Sequence, residues 1–114
     1  MGGSLGALNS ALHSNGISGN MAGGTHHAHY SYGSGYCIFN DLAICAKTAL
    51  NSYKHIDDVL IIDLDVHQGD GTASIFSDHD NVFTFSMHCE SNFPLQKMES
   101  DIDVPLKKGV EDIE

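Results

Sequence analysis

Asp63, Asp65, His67 and Asp70 crowd into IIDLDVHQGDG, Ile61–Gly71, directly behind the apolar residues Val59 to Ile62. Burying a charge costs several kcal/mol unless it is paired or bound to a metal, so such a strand end needs a compensating partner. Asp65 and His67 stand two apart just past the strand end, where both can approach one cation. Neutral imidazole with carboxylate is a zinc-type ligand set. Two donors are one too few, because catalytic zinc takes three and keeps a position for water. The competing reading of the same residues is an aspartate-rich turn that caps the helix behind it.

A second constellation lies upstream. GGTHHA, Gly23–Ala28, sets His26 and His27 side by side in a glycine-rich loop. Each imidazole can receive an orienting carboxylate, the pattern that holds a base in one tautomer. Asp63 and Asp70 are left over after metal ligation and suit that task. A surface His-His pair or a tag remnant is the competing reading, and it predicts nothing about the aspartates.

The elements that must position these residues follow from pattern. Leu5, Leu8 and Leu12 recur at helical spacing and predict a helix over Met1–Asn15, closed by Gly16 as the left-handed residue. Ile17–Met21 suits a short strand, and Ala22–Tyr36 lacks apolar periodicity and reads as a loop. Asn40 is an N-cap, and Asp41 suits the positive end of a helix running to about Lys54. Val59–Leu64 is continuously apolar, as expected of a parallel strand covered on both faces; Val82–Met87 and Ile102–Leu106 are further strands, with a short helix over Thr72–Ser77. Strands alternating with helices make the chain α/β with a parallel sheet, whose functional residues gather beyond the carboxyl ends of the strands.

Composition narrows the function. The 114 residues are 41% apolar and carry 15 acidic against 5 basic side chains, a formal net charge of −10. That balance disfavours direct contact with nucleic acid or anionic membranes. Cys37, Cys45 and Cys89 form neither a disulfide framework nor a four-cysteine zinc site, which suits a reducing, intracellular compartment. Cys37 and Cys45 read as small buried residues, while Cys89 beside a strand is a candidate for oxidation. His13, His29, His55, His79 and His88 lack motif context and are expected to be solvated or locally hydrogen-bonded. No apolar run is long enough to span a bilayer, and no signal peptide or internal repeat is visible, so the protein is expected to be soluble.

Taken together, GGTHHA, GSGYCIFND (Gly33–Asp41), LIIDLDVHQGDGTA (Leu60–Ala73), FTFSMH (Phe83–His88) and NFP (Asn92–Pro94) resemble the zinc-dependent histone deacetylase family of the arginase/deacetylase superfamily. The wording DVHQGDGTA looks more like its bacterial and class IV-type members. The resemblance implies that residues 1–114 are an internal fragment of one catalytic domain, part of a three-layer parallel-sheet fold. It implies Asp65 and His67 as zinc ligands, and His26 and His27 as the pair beside the activated water, with His27 the general base. Asp63 and Asp70 become their carboxylate partners. Gly35, Tyr36 and Phe93 match the wall of a narrow acetyl-lysine channel, Tyr36 standing where many members have Phe. Asp63, Asp65 and His67 with Ser86 and Met87 match a monovalent-cation site, expected to take K+.

The family's third zinc ligand and its transition-state tyrosine come from beyond the VPL strand, so the segment alone is expected to be inactive. Losing an oxyanion donor typically costs about a hundred- to a thousand-fold in rate. An arginase-like binuclear hydrolase needs another carboxylate two residues after the ligating histidine, where Gly69 stands. Two alternatives remain: a deacetylase of polyamines or other small acetylated amines, and a truncated, non-catalytic zinc-binding module.

Overall fold

The apolar segments pair as a parallel sheet. The computed structural model describes residues 1–112. They form α1 (Gly2–Ser14), α2 (Asp41–Ser52), β1 (Val59–Asp63), α3 (Asp70–Phe76), β2 (Val82–Cys89) and β3 (Ile102–Leu106), the strands in the order β1-β2-β3. Val59 is in register with Val82 and Asp63 with Ser86, while Phe85 is in register with Ile102 and Cys89 with Leu106.

Because side chains alternate along a strand, this register sorts the sheet into two faces. On one face Ile61, Val82 and the partly buried Val59 pack against Ala43 and Ala46 of α2 and Phe76 of α3, and α1 packs on α2. The other face presents Leu60, Ile62, Phe83, Met87 and Ile102 to solvent; Leu60 and Ile62 are 59% and 58% exposed. The expectation of a strand covered on both faces is therefore corrected. All three helices of the described residues stack on one side of the sheet, so the apolar run of β1 is half clothed.

Helix boundaries follow local chemistry. Asn40 caps α2 as expected, its side chain accepting the Ala43 N–H at 2.9 Å. α2 stops at Ser52, short of Lys54, where Tyr53 turns extended. The left-handed residue that closes α1 is Asn15 (φ 49°), not Gly16. Asn tolerates that conformation because its short side chain can hydrogen-bond locally. Ile17–Met21 is not a strand: Ile17 and Met21 are fully exposed, and among the described residues no strand pairs with the segment. The expected strand Ile102–Leu106 is found with those bounds.

Candidate active site

The carboxyl end of β1 and the histidine loop meet under the amino ends of α2 and α3. The Thr72 N–H of α3 donates to His26 O at 3.1 Å, and Asn40 Nδ2 donates to Ala28 O and Thr72 Oγ1 at 3.1 and 3.0 Å. Asp41 accepts the N–H groups of Gly24 and Thr25 at 3.1 and 2.8 Å and the Ser4 hydroxyl at 2.5 Å. Two helix starts and α1 thus clamp GGTHHA. Sequence reading assigned Asp41 only to the α2 dipole; its bonds to the loop lie between residues far apart in the chain.

Each histidine of the pair receives the carboxylate expected for it. His26 Nδ1 meets Asp63 Oδ2 in a short, buried contact, and His27 Nδ1 lies 2.6 Å from Asp70 Oδ1. Burial pushes the His26 pKa down, but the hydrogen bond and charge of Asp63, with the charges of Asp65 and Asp70, outweigh it and leave it above the ordinary 6.5. Gly69 stands so close that a Cβ would overlap Asp63 Oδ2, and a Cβ on Gly35 (φ 51°) would overlap the His27 ring. Glycine is required at both places for close approach.

The other site residues open onto one cavity of about 700 Å³ lined by His26, His27, Gly35, Tyr36, Asp65, His67 and Phe93, with Gly24 and Cys37. Phe93 packs edge-on against His27 with ring centroids 4.9 Å apart. Tyr36 is fully exposed in the left-handed region, φ 64°. Asp63 and Asp70 stand behind the histidines, outside the cavity lining. Asp65 Oδ1 lies 3.1 Å from His67 Nδ1 and accepts the His67 N–H at 2.8 Å. Burial raises the Asp65 pKa, but the His67 hydrogen bonds and the charges of His26 and His67 prevail and hold it below 3.8.

A tetrahedral ion with bonds of about 2.0–2.1 Å has an edge of about 3.3 Å, so Asp65 Oδ1 and His67 Nδ1 fit two corners of a zinc site. Among the described residues no third His, Cys, Asp or Glu completes that set. Of the residues assigned to a monovalent cation, Asp63 and Ser86 are register partners, and Ser86 Oγ lies 3.0 Å from His88 Nδ1. Met87 points its side chain to the uncovered face.

Several secondary expectations are corrected. His29 is neither solvated nor bonded locally, its Nε2 lying 3.3 Å from Asp70 Oδ2, whereas His88, 3% exposed, is locally hydrogen-bonded to Ser86 as expected. His79 Nδ1 is buried without a hydrogen-bond partner among the described residues. Cys37 and Cys45 are half-buried rather than buried, and Cys37 lines the site cavity. Lys97 was not singled out from sequence, yet its Nζ donates to Glu90 O, Asn92 O and Pro94 O at 3.1, 2.8 and 2.6 Å and ties down the loop that carries Phe93. No helix among the described residues is long and apolar enough to cross a membrane.

Comparison with known proteins agrees with this fold. The chain is 59% identical over 97 residues to an uncharacterised protein of Picosynechococcus, covering 85% of the chain and 32% of that protein. It is 38% identical over 123 residues to the histone deacetylase Clr6 of Schizosaccharomyces pombe, covering 97% of the chain and 30% of that protein. The crystal structure of an HDAC homologue from Aquifex aeolicus superposes with a TM-score of 0.81 at 31% identity, covering 94% of the chain and 32% of that structure. The same figures hold for a structure of an HDAC homologue complexed with SAHA. The chain therefore spans about a third of the length of these relatives. The family profile described as the histone deacetylase domain matches residues 1–114. With a match that runs its whole length, the chain belongs to the histone deacetylase family.

Proposed function

We propose that the protein hydrolyses the amide of acetyl-lysine, with the residues of this chain supplying the proton-handling histidines, two zinc ligands and part of the substrate channel. The observation that carries this reading is the pair of buried His–Asp contacts set side by side against one cavity, with Asp65 and His67 at the same cavity. Asp65 and His67 would hold the ion together with a ligand from outside the described residues. Zinc bound there would polarise the amide carbonyl and bring the pKa of a water toward about 7.

His27 holds its Nδ1 proton toward Asp70, which leaves Nε2 free to accept a proton from the attacking water. His26, whose pKa the Asp63 contact and the neighbouring carboxylates hold above its ordinary value, suits electrostatic support and proton donation to the leaving amine. Gly35, Tyr36 and Phe93 line the path of the neutral acetylated side chain, where aromatic faces accept a methylene chain without needing to pair a charge. Asp63, Ser86 and Met87 are the residues whose oxygens a K+ ion would use.

The net charge of −10 is compatible with a second substrate class, acetylated polyamines or other small acetylated amines, which keep cationic groups beside the amide. Acetate release by the full-length protein from an acetyl-lysine peptide and from an N-acetylated polyamine, with zinc content measured in parallel, separates the two. Peptide turnover that His27→Ala removes supports the proposal. Turnover of the polyamine alone moves the substrate to the second class, and zinc retention without either activity moves the protein to a binding role.

A further inference from the structure

Asp70 has two carboxylate oxygens, and each faces a histidine. Oδ1 meets His27 Nδ1 at 2.6 Å and Oδ2 meets His29 Nε2 at 3.3 Å. The His27, Asp70 and His29 side chains are 8%, 6% and 7% exposed, so all three are withdrawn from solvent. His29 is itself held in place. Its ring stacks on Tyr32 with centroids 4.3 Å apart and planes 14° from parallel, and its backbone N–H donates to Tyr32 O at 3.0 Å. It borders a groove of about 690 Å³ along α2, together with Tyr32 and Lys47, and not the site cavity. Whatever His29 does for the reaction, it does through Asp70.

We propose that His29 is a positioning residue for the deacetylation: by donating its Nε2–H to Asp70 Oδ2 it fixes the carboxylate so that Oδ1 stays aimed at His27 Nδ1. The inference rests on the reading of His27 as the general base. The terminal torsion of an aspartate is broad, so a carboxylate held through one oxygen can swivel away from its partner. A second bond on the other oxygen removes that freedom. Among the described residues no other hydrogen bond reaches this carboxylate. Without His29, Oδ2 is buried and unpaired, and the carboxylate relieves that by rotating toward another donor. The His27 tautomer is then no longer imposed.

Two substitutions in the full-length protein separate this role from simple packing. His29→Phe keeps a ring to stack on Tyr32 and removes the donor. His29→Gln gives up the ring and restores an amide Nε2–H near the imidazole Nε2. If packing is what His29 contributes, Phe is tolerated and Gln is damaging; positioning through Asp70 requires the reverse.

The expected result is a kcat about 10- to 100-fold lower in His29→Phe, the range typical for loss of an orienting partner, with KM and zinc content unchanged and most of the loss recovered in His29→Gln. A readout independent of turnover is the low-field proton resonance of His27 Nδ1–H: it should move in His29→Phe, return in His29→Gln and vanish in His27→Ala. A wild-type kcat and an unmoved resonance in His29→Phe, with His27→Ala inactive, overturn this inference alone. Retained turnover in His27→Ala overturns it together with the reading it rests on. Should His29→Phe fail to fold, His29→Gln decides by itself, since a rate reduced as far as packing loss requires rules the positioning role out.

Discussion

Thr25 and Asp41, sixteen positions apart, are joined in both directions: the Thr25 N–H donates to Asp41 Oδ1 at 2.8 Å and the Asp41 N–H donates to Thr25 Oγ1 at 3.3 Å. The Thr25 hydroxyl lies a further 2.8 Å from the same carboxylate oxygen. This is the reciprocal logic of a capping box, drawn between a helix start and a distant loop. It holds the loop that carries His26 and His27 against α2.

The pH dependence of that bond network is testable. Burial pushes the Asp41 carboxyl upward, but hydrogen bonds from Ser4, Thr25 and Gly24 outweigh it and bring it from 3.8 to about 2. A carboxyl with a depressed folded value contributes stability that is present above its unfolded value and is lost as pH falls through the folded one. The contribution, on the order of 2 kcal/mol, should fade between about pH 4 and pH 2. Asp41→Asn should lower the melting temperature at neutral pH and flatten the acid-side fall in unfolding free energy. An acid unfolding curve that overlays the wild type would remove Asp41 from this role.

Metal binding and chemistry should separate by residue. Asp65→Ala and His67→Ala should each abolish zinc retention and turnover together, measured by metal content and acetate release. Asp70→Asn should leave zinc bound and lower kcat by about a hundred- to ten-thousand-fold, the range of a general base put into the wrong tautomer. Full turnover in either ligand variant would sink the assignment of Asp65 and His67.

Gly35→Ala tests the close approach of Gly35 to His27, the proposed base. Its φ of 51° costs an L side chain about 1–2 kcal/mol, and the new Cβ would overlap the His27 ring. Activity should fall more steeply than the melting temperature. Wild-type kcat in Gly35→Ala would mean that the ring can move without consequence.

Lys97→Met should free the three carbonyls of the Phe93 loop while keeping the length of the side chain. The cost in stability should be on the order of 1–3 kcal/mol. KM for the acetylated peptide should rise more than kcat falls if Phe93 acts as proposed, on the substrate side chain and not on the reacting atoms. An unchanged KM would detach Lys97 from the proposed channel.

What was legible in the sequence and what was not divide along physical lines. Strand Ile102–Leu106 and the Asn40 cap were readable because both follow from neighbours in the chain. Asp63 and Asp70 were readable as partners of His26 and His27 because charge at the end of an apolar run demands partners. His29, Asp41 and Lys97 were misread or missed because each depends on atoms delivered from elsewhere: the Asp70 carboxylate, the Gly24 and Thr25 amides, and three loop carbonyls. A side chain that is satisfied only in the folded state leaves little trace in local pattern. Ile17–Met21 failed for the opposite reason, since among the described residues its β propensity finds no strand to bond to.

The uncovered face of the sheet has a practical consequence for anyone handling this segment. Leu60, Ile62, Phe83, Met87 and Ile102 form an oily plate across all three strands, of the kind that binds fluorescent hydrophobic dyes, attracts chaperones and glues copies together. The charge of −10 opposes such clumping by mutual repulsion, and that repulsion weakens as salt is added. Low ionic strength is therefore the buffer in which the segment should stay dispersed.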